Sequence, residues 1–417
     1  MTKNRLMPLV MRVVGAGGAA LLSFLIAKLT TSSFLGEFQY YLTITLGLAI
    51  LARTGLDRGI VRYVAKTSIE KEQNFLLRYA LLKTVRTSAL LLIICTLIIY
   101  LLYYNKVNFG FSVLILSAFP LLAISIVFSG FYKGIFKPNI SFLYDMGFTS
   151  LLTSILIIVF CIFSKNYILF IPLSFLVACI STNISGLLLL KKKLIVVKGG
   201  LDVINELSSS SYNFMWMTLC VYLQQLVLVI VISHYLSNHE LGLYKLAEKL
   251  AFIVGFFQSV VTAIYSPYFS KIHEQGNINK LEDYVRKASN MSLILSLPSF
   301  LLITLGSIQI LNLFGEEYKS ANLILIILAL SQFINVIMGP ASMVLNQSGY
   351  ENISKNIVIF SSLLSLPFIF LACYFYGALG GAVMTLFITF MQNLFCYIYV
   401  YRKLGIIVYP KFQIKRI

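Results

Sequence analysis

The chain has 417 residues, 59% of them hydrophobic and 12% charged, with a mean hydropathy of +0.88. A soluble domain has too little interior to hide that much apolar surface, so the composition excludes a soluble globular protein and specifies an integral membrane protein. The formal charge of +18 would suggest nucleic acid in a soluble chain, but here it follows from Lys and Arg kept in cytoplasmic loops, and no nucleic-acid partner is expected.

Lys3, Arg5 and Arg12 precede or enter the first apolar run, a pattern resembling a signal peptide. Arg12 interrupts the run and no clear small-residue cleavage site follows, so the expectation is an uncleaved first span. A span and its loop take roughly 30 residues, which predicts about a dozen transmembrane helices. The apolar runs are continuous rather than alternating, which argues against a β-barrel. Spans are predicted near 8–30, 40–63, 80–104, 110–132, 141–163, 167–190, 212–235, 243–268, 289–313, 321–344, 354–376 and 380–401.

In the first span, Gly15-Ala16-Gly17-Gly18-Ala19-Ala20 fits a dinucleotide-binding pattern. That pattern needs a soluble strand–turn–helix unit, so the small residues here are read as a close helix contact. Lys28 lies near the outer end of this span, where its amine could snorkel or line a cavity.

The second span is predicted as one helix running through Leu42–Tyr63. It carries Arg53, Asp57, Arg58 and Arg62. An ionised group at the bilayer centre costs roughly 2.5–3.5 kcal/mol on insertion scales, so such groups pair, sit near helix ends or line a wet path. Arg53 and Asp57 are one turn apart and can pair. Arg58 and Arg62 lie toward the cytoplasmic end and could simply anchor it; Arg53 is placed deeper.

Asp145 enters the fifth predicted span by a turn or two. It either neutralises a cytoplasmic Lys or Arg or serves as a coupling-ion site. Gln224 and Gln225 fall in mid-span, and Lys245, Glu248 and Lys249 open the eighth span on the outer side. The six cysteines fall inside apolar spans without a CxxC pair and are read as core residues. The three histidines, His234, His239 and His273, lack metal-ligand spacing. No catalytic motif, metal site or cofactor is expected.

Loop charges set the orientation. One side receives Lys66, Lys71, Arg78, Lys133, Lys137, Lys191, Lys192, Lys193 and Lys198, then Lys271, Lys280, Arg286, Lys287 and the tail from Arg402 to Arg416. The other side receives little beyond Glu37, Lys106, Lys165, Glu240 and the Glu316-Glu317-Lys319 group. Both termini are therefore expected to be cytoplasmic.

The chain looks duplicated at an offset of 206. Leu35-Gly36-Glu37-Phe38 matches Leu241-Gly242-Leu243-Tyr244, and Lys28 falls on His234. Six spans per repeat predict parallel halves, residues 1–200 and 201–417, an organisation common in transporters. At the same offset Arg53, Asp57, Arg58 and Arg62 fall on Ser259, Ala263, Ile264 and Tyr268, so the second half lacks this charge cluster.

Leu311-Asn312-Leu313-Phe314-Gly315-Glu316-Glu317-Tyr318, followed by Ala321, resembles a signature of polysaccharide exporters. Arg62-Tyr63-Val64-Ala65 is similar to that family's second-span ending, and Tyr376-Gly377-Ala378-Leu379-Gly380-Gly381-Ala382 resembles its Gly-rich lead-in to the twelfth span. Together they look like a Wzx-type flippase of the multidrug, oligosaccharidyl-lipid and polysaccharide exporter superfamily. The resemblance covers nearly the whole chain. It implies an all-α membrane protein with two six-helix bundles, V-shaped around a central cavity, in the bacterial inner membrane. It also implies translocation of an undecaprenyl-pyrophosphate-linked oligosaccharide from inner to outer leaflet, without catalysis. Partners would be that glycan lipid, the bilayer, and polysaccharide polymerase and chain-length proteins. Substrate binding is carried to Lys28, Arg53 and His234, with Asp57, Arg58, Arg62, Lys245 and Lys249 in supporting or gating roles. A multidrug or cation antiporter of the same superfamily is the nearest alternative, and a membrane-embedded glycan polymerase a more distant one. Basic residues dominate the interior, which favours an anionic cargo.

Overall fold

The computed structural model describes residues 3–66, 69–103, 109–163, 167–190 and 201–410. The described residues form helices and no strand. In chain order these are α1 (Lys3–Leu29), α2 (Ser32–Arg53), α3 (Leu56–Lys66), α4 (Glu70–Tyr103), α5 (Phe109–Leu116), α6 (Phe119–Gly134), α7 (Pro138–Phe142), α8 (Met146–Phe163), α9 (Tyr167–Leu190) and α10 (Leu201–Val231). A π-helical turn (Ile232–Leu236) follows, then α11 (Asn238–Glu274), α12 (Ile278–Leu305), α13 (Ser307–Asn312), a 3₁₀ turn (Glu316–Ala321), α14 (Asn322–Ile337), α15 (Ala341–Gln347) and α16 (Glu351–Leu404).

Among the described residues, nine helices are long and apolar enough to cross a membrane, and two shorter apolar helices, Val13–Leu29 and Met146–Cys161, accompany them. One of the nine, α16, is two arms: Gly377 breaks it at φ 64°, ψ −151°, a conformation that only glycine adopts without strain. Counting both arms accounts for twelve spans. The chain is an all-α, multi-pass membrane protein. Lys106, Lys165, Lys191–Lys193, Lys198, Lys411, Lys415 and Arg416 lie outside the described residues.

The helices cluster into two compact units. One comprises Met1–Thr31 with Glu37–Tyr222; the other comprises Ser32–Gly36 with Leu223–Ile417. In the first unit, α1 packs on α8, α3 on α6, and α9 on α5, α6 and α8. The α1–α8 contact uses the small-residue run of the first span. A Cβ on Gly18 would stand 2.8 Å from the Gly147 carbonyl oxygen, and one on Gly15 2.9 Å from the Phe142 ring. Gly17 faces open space, so two glycines of the run serve helix packing.

In the second unit, α11 packs on α12 and α14, and α14 on α16. Its core runs through Val261, Phe269, Leu281, Val285, Val344 and Val400. The first unit has a comparable cluster of Leu56, Ile60, Val64, Leu77, Phe128, Phe131 and Tyr144.

Two expectations are corrected. The predicted helix through Leu42–Tyr63 is broken. Thr54 (φ 47°) and Gly55 (φ 74°) are consecutive left-handed residues, and they end α2 at Arg53 before α3 starts at Leu56. The reason is visible in α3: Leu56, Ile60 and Val64 are fully buried, whereas Arg58 and Arg62 on the opposite face are exposed. An amphipathic helix of that kind packs on a neighbour rather than continuing a span. Arg53 is therefore the last residue of the spanning helix, not a residue deep within one. Likewise Asp145 does not lie a turn inside a span. It sits in the link between α7 and α8, immediately before Met146.

Candidate functional site

In the first unit, Arg53 and Asp57 meet across the break between α2 and α3. Arg53 Nε lies 3.2 Å from Asp57 Oδ1, and the two side chains are only 11% and 16% exposed. The predicted pair therefore forms, bridging two helices instead of decorating one. Asp57 also occupies the first turn of α3, where the helix dipole favours a carboxylate.

The neighbouring helix α4 adds a cation that sequence reasoning missed. Lys83 Nζ donates to Ser208 Oγ at 2.7 Å and stands 4.6 Å above the Tyr212 ring and 5.8 Å from that of Tyr79. One turn further along α4, the Thr87 hydroxyl donates to the Ala52 carbonyl oxygen, next to Arg53. The usable signal was a Lys at the start of an apolar span with an aromatic four residues before it. An ammonium over an aromatic face contributes about 0.5–2 kcal/mol, depending on its desolvation. Arg58 and Arg62 are exposed. Lys28 is exposed in the last turn of α1.

In the second unit, Lys245 Nζ donates to Glu248 Oε2 at 2.8 Å, and the Lys245 side chain is 7% exposed. Lys249 adjoins them on α11, so this turn places two ammonium groups around one carboxylate. Tyr244, fully buried alongside, shares a 3.0 Å hydrogen bond with Thr385. His234 lies in the π-helical turn, exposed, with its ring edge-on to Tyr235 at 5.3 Å. Lys28 and His234 belong to different units.

Asp145 accepts from Lys133 Nζ at 3.1 Å and from Ser129 Oγ at 2.5 Å. The structure thus engages this carboxylate with the cation that closes α6.

The Gly315–Tyr318 motif has a structural explanation within the second unit. Glu317 accepts from the Ser32 backbone N–H at 2.8 Å and from the Ser32 hydroxyl at 2.7 Å. His239 Nδ1 also bonds the Ser32 hydroxyl and lies 3.9 Å from Glu317 Oε2. Tyr318 is fully buried, and Glu316 pairs with Lys319 at 2.8 Å. The motif holds the first turn of α2, whose backbone N–H groups have no partner inside the helix.

No group of three or more His, Cys, Asp or Glu among the described residues could hold a metal ion. The geometry offers cations on or beside spanning helices, partly neutralised by Asp57 and Glu248, which is a means of attracting an anion.

Residues 214–371 match the MatE family. A probable low-salt glycan biosynthesis flippase, Agl15 of Haloferax volcanii, is 26% identical over 182 residues, 43% of this chain and 36% of that protein. The aligned stretch thus spans about a third of that relative's length. Among solved structures, an inward-facing multidrug resistance MATE family transporter of the MOP superfamily is similar with a TM-score of 0.73, at 14% identity, over 96% of this chain and 98% of the other. The lipid II flippase MurJ is similar with a TM-score of 0.71, at 15% identity, over 96% and 87%. At such identities the structures share a fold. Residues 1–273 match the family described as polysaccharide biosynthesis protein, and the chain, matched over more than half its length, belongs to that family.

Proposed function

We propose that this protein is a flippase that carries an undecaprenyl-pyrophosphate-linked oligosaccharide from the inner to the outer leaflet of the bacterial inner membrane by alternating access. The observation that carries this reading is the balance of charge beside the spanning helices. Arg53 pairs with Asp57, Lys83 on α4 bonds Ser208, and Lys245 and Lys249 flank Glu248. Cations exceed carboxylates in each unit, which favours an anionic cargo over the organic cations of an antiporter. The names of the relatives support a lipid-linked glycan.

A pyrophosphate bearing sugars cannot cross about 30 Å of hydrocarbon unaided. The protein must give the headgroup a polar path in which buried ionic groups are tolerated. In this reading Arg53 grips the pyrophosphate with its remaining donors while Asp57 steers it, and Lys28 and His234 receive the headgroup near the outer side. Lys245 and Lys249 supply charge in the second half; Arg58 and Arg62 support the cytoplasmic side, and Asp145 is a candidate coupling-ion site. Residues 1–200 and 201–417 are the two bundles, both termini are cytoplasmic, and polymerase and chain-length proteins take the delivered glycan. The protein catalyses no covalent step.

The test is reconstitution into liposomes loaded with a fluorescent undecaprenyl-pyrophosphate oligosaccharide, with leaflet exposure read by an impermeant quencher. Protein-dependent exchange between leaflets is expected. Exchange no faster than in empty liposomes, or transport of organic cations in its place, defeats the reading.

A further inference from the structure

The second unit contains a cavity of about 510 Å³ between the two arms of α16. It runs from Ile353 to Phe368 on the first arm and from Met384 to Tyr399 on the second. Fifteen residues of helix rise about 22 Å, so the cavity is long and narrow. It is lined from the two arms only and is wide enough for a hydrocarbon chain at ordinary carbon contact distances.

The walls are apolar: Phe360, Leu364 and Phe368 on one arm face Phe387, Ile388 and Phe395 on the other. The two lining serine hydroxyls are already used. Ser361 accepts from Gln392 at 2.9 Å and donates to the Val358 carbonyl; Ser365 accepts from Gln224 at 2.9 Å and donates to that of Ser362. A headgroup along this stretch would find little to bond, and Phe360, Leu364, Phe368 and Phe387 are each half exposed or more, so an apolar occupant would cover them.

One end is charged. Lys355 shares a turn with the lining residues Ile353, Asn356 and Ile357, and Arg402 and Lys403 lie one turn beyond Tyr399. With Glu351 as the acidic group at this end of the arms, cations exceed carboxylates. The opposite end, toward Gly377, carries no Asp, Glu, Lys, Arg or His on α16.

We propose that this cavity holds the single isoprenoid chain of the lipid-linked cargo, with the Lys355–Arg402 end meeting its phosphate as the cargo loads, before Arg53 grips it. The proposal rests on the flippase reading and adds the site of the tail. A polyprenyl phosphate brings one apolar chain to follow the groove and one phosphate for its charged end, whereas a bilayer phospholipid must seat two chains side by side. The charged end is the side expected to face the cytoplasm, where the cargo starts.

The experiment is native mass spectrometry of the full-length protein with undecaprenyl phosphate and, separately, dioleoyl phosphatidylglycerol as probes. Leu364 is about half exposed, so Leu364→Trp fills the slot without disturbing the core, and Ile388→Trp is the second variant. Each is expected to weaken undecaprenyl phosphate binding on the order of tenfold, and Lys355→Gln with Arg402→Gln to weaken it severalfold. Phosphatidylglycerol should compete poorly. Unchanged binding in both Trp variants, or equal competition by phosphatidylglycerol, overturns the proposal. Should a Trp variant fail to fold, a diazirine-bearing polyprenyl phosphate on the unaltered protein decides: adducts within residues 353–399 support the site, and adducts elsewhere overturn it. Lost tail binding with retained leaflet exchange removes only the tail site. Absent exchange removes the flippase reading itself.

Discussion

Gly36 and Gly242 lie against each other's helices in a reciprocal contact. A Cβ on Gly36 would collide with the Asn238 carbonyl oxygen and stand 2.8 Å from Gly242 N; a Cβ on Gly242 would collide with the Ser32 carbonyl oxygen and stand 3.1 Å from Gly36 N. Ser32 and Asn238 are separated by the same 206 positions as the two glycines. The segments Ser32–Gly36 and Asn238–Gly242 therefore meet within one unit as near-equivalent partners, as in a two-fold contact.

This predicts that Gly36→Ala and Gly242→Ala each destabilise the fold, by about 1–3 kcal/mol, because backbone rather than a flexible side chain must give way. Fluorescence-detected gel filtration after heating should show lowered midpoints for both. The double variant should cost less than the sum, since one displacement relieves both collisions. Midpoints unchanged from the natural protein would contradict the contact.

Ser32 and Glu317 make a second test at the same place. Ser32 is fully buried and gives Glu317 both its N–H and its hydroxyl. Ser32→Ala should cost about 1 kcal/mol. Glu317→Gln should cost more, since an amide cannot accept through its nitrogen. Ordering of the two midpoints checks this, and a silent Glu317→Gln would refute it.

Thr54 holds φ 47°, a conformation rare for a β-branched residue. Such strain is worth of order 1–3 kcal/mol. Thr54→Gly is expected to raise the melting midpoint, or at least leave it unchanged, despite glycine's greater unfolded-state entropy. A clear drop would show that the Thr54 side chain outweighs the backbone strain.

Arg53 and Asp57 should behave as a coupled pair. Removing Asp57 leaves a largely buried guanidinium without its counter-charge and should cost about 2 kcal/mol or more. Arg53→Ala/Asp57→Ala together should recover part of that loss. For transport, Arg53→Ala should reduce leaflet exchange even where the folded protein level is normal. Lys249→Gln should reduce exchange with little change in stability, in contrast to Lys245→Gln, which breaks the 2.8 Å bond to Glu248. If Arg53→Ala and Lys28→Ala both exchange normally, the basic-path assignment fails.

Much of the fold was legible because twenty-residue apolar runs admit few alternatives to a spanning helix. The pairing of Arg53 with Asp57 was legible for a similar reason, the i, i+4 spacing. The break between them was not. Gly55 is visible in sequence, but the left-handed Thr54 is imposed by burial of Leu56, Ile60 and Val64, which depends on the packing of α3 against α6. The period of those three residues, with Arg58 and Arg62 opposite, was the available clue to a separate amphipathic helix. Lys83 was missed because its partners, Ser208 and Tyr212, come from a helix more than 120 residues away. The glycine match at offset 206 was readable as repetition. That the two copies touch each other was not, because a repeat pattern carries no information about contact.

The proposed function is the movement of a lipid-linked glycan between leaflets. The most direct measurement in the cell is deletion of the gene, followed by quantification of undecaprenyl-linked repeat units on each leaflet. The account predicts their accumulation on the inner leaflet with loss of the surface glycan. Persistence of the surface glycan, with increased drug sensitivity in its place, would contradict the account and favour an antiporter.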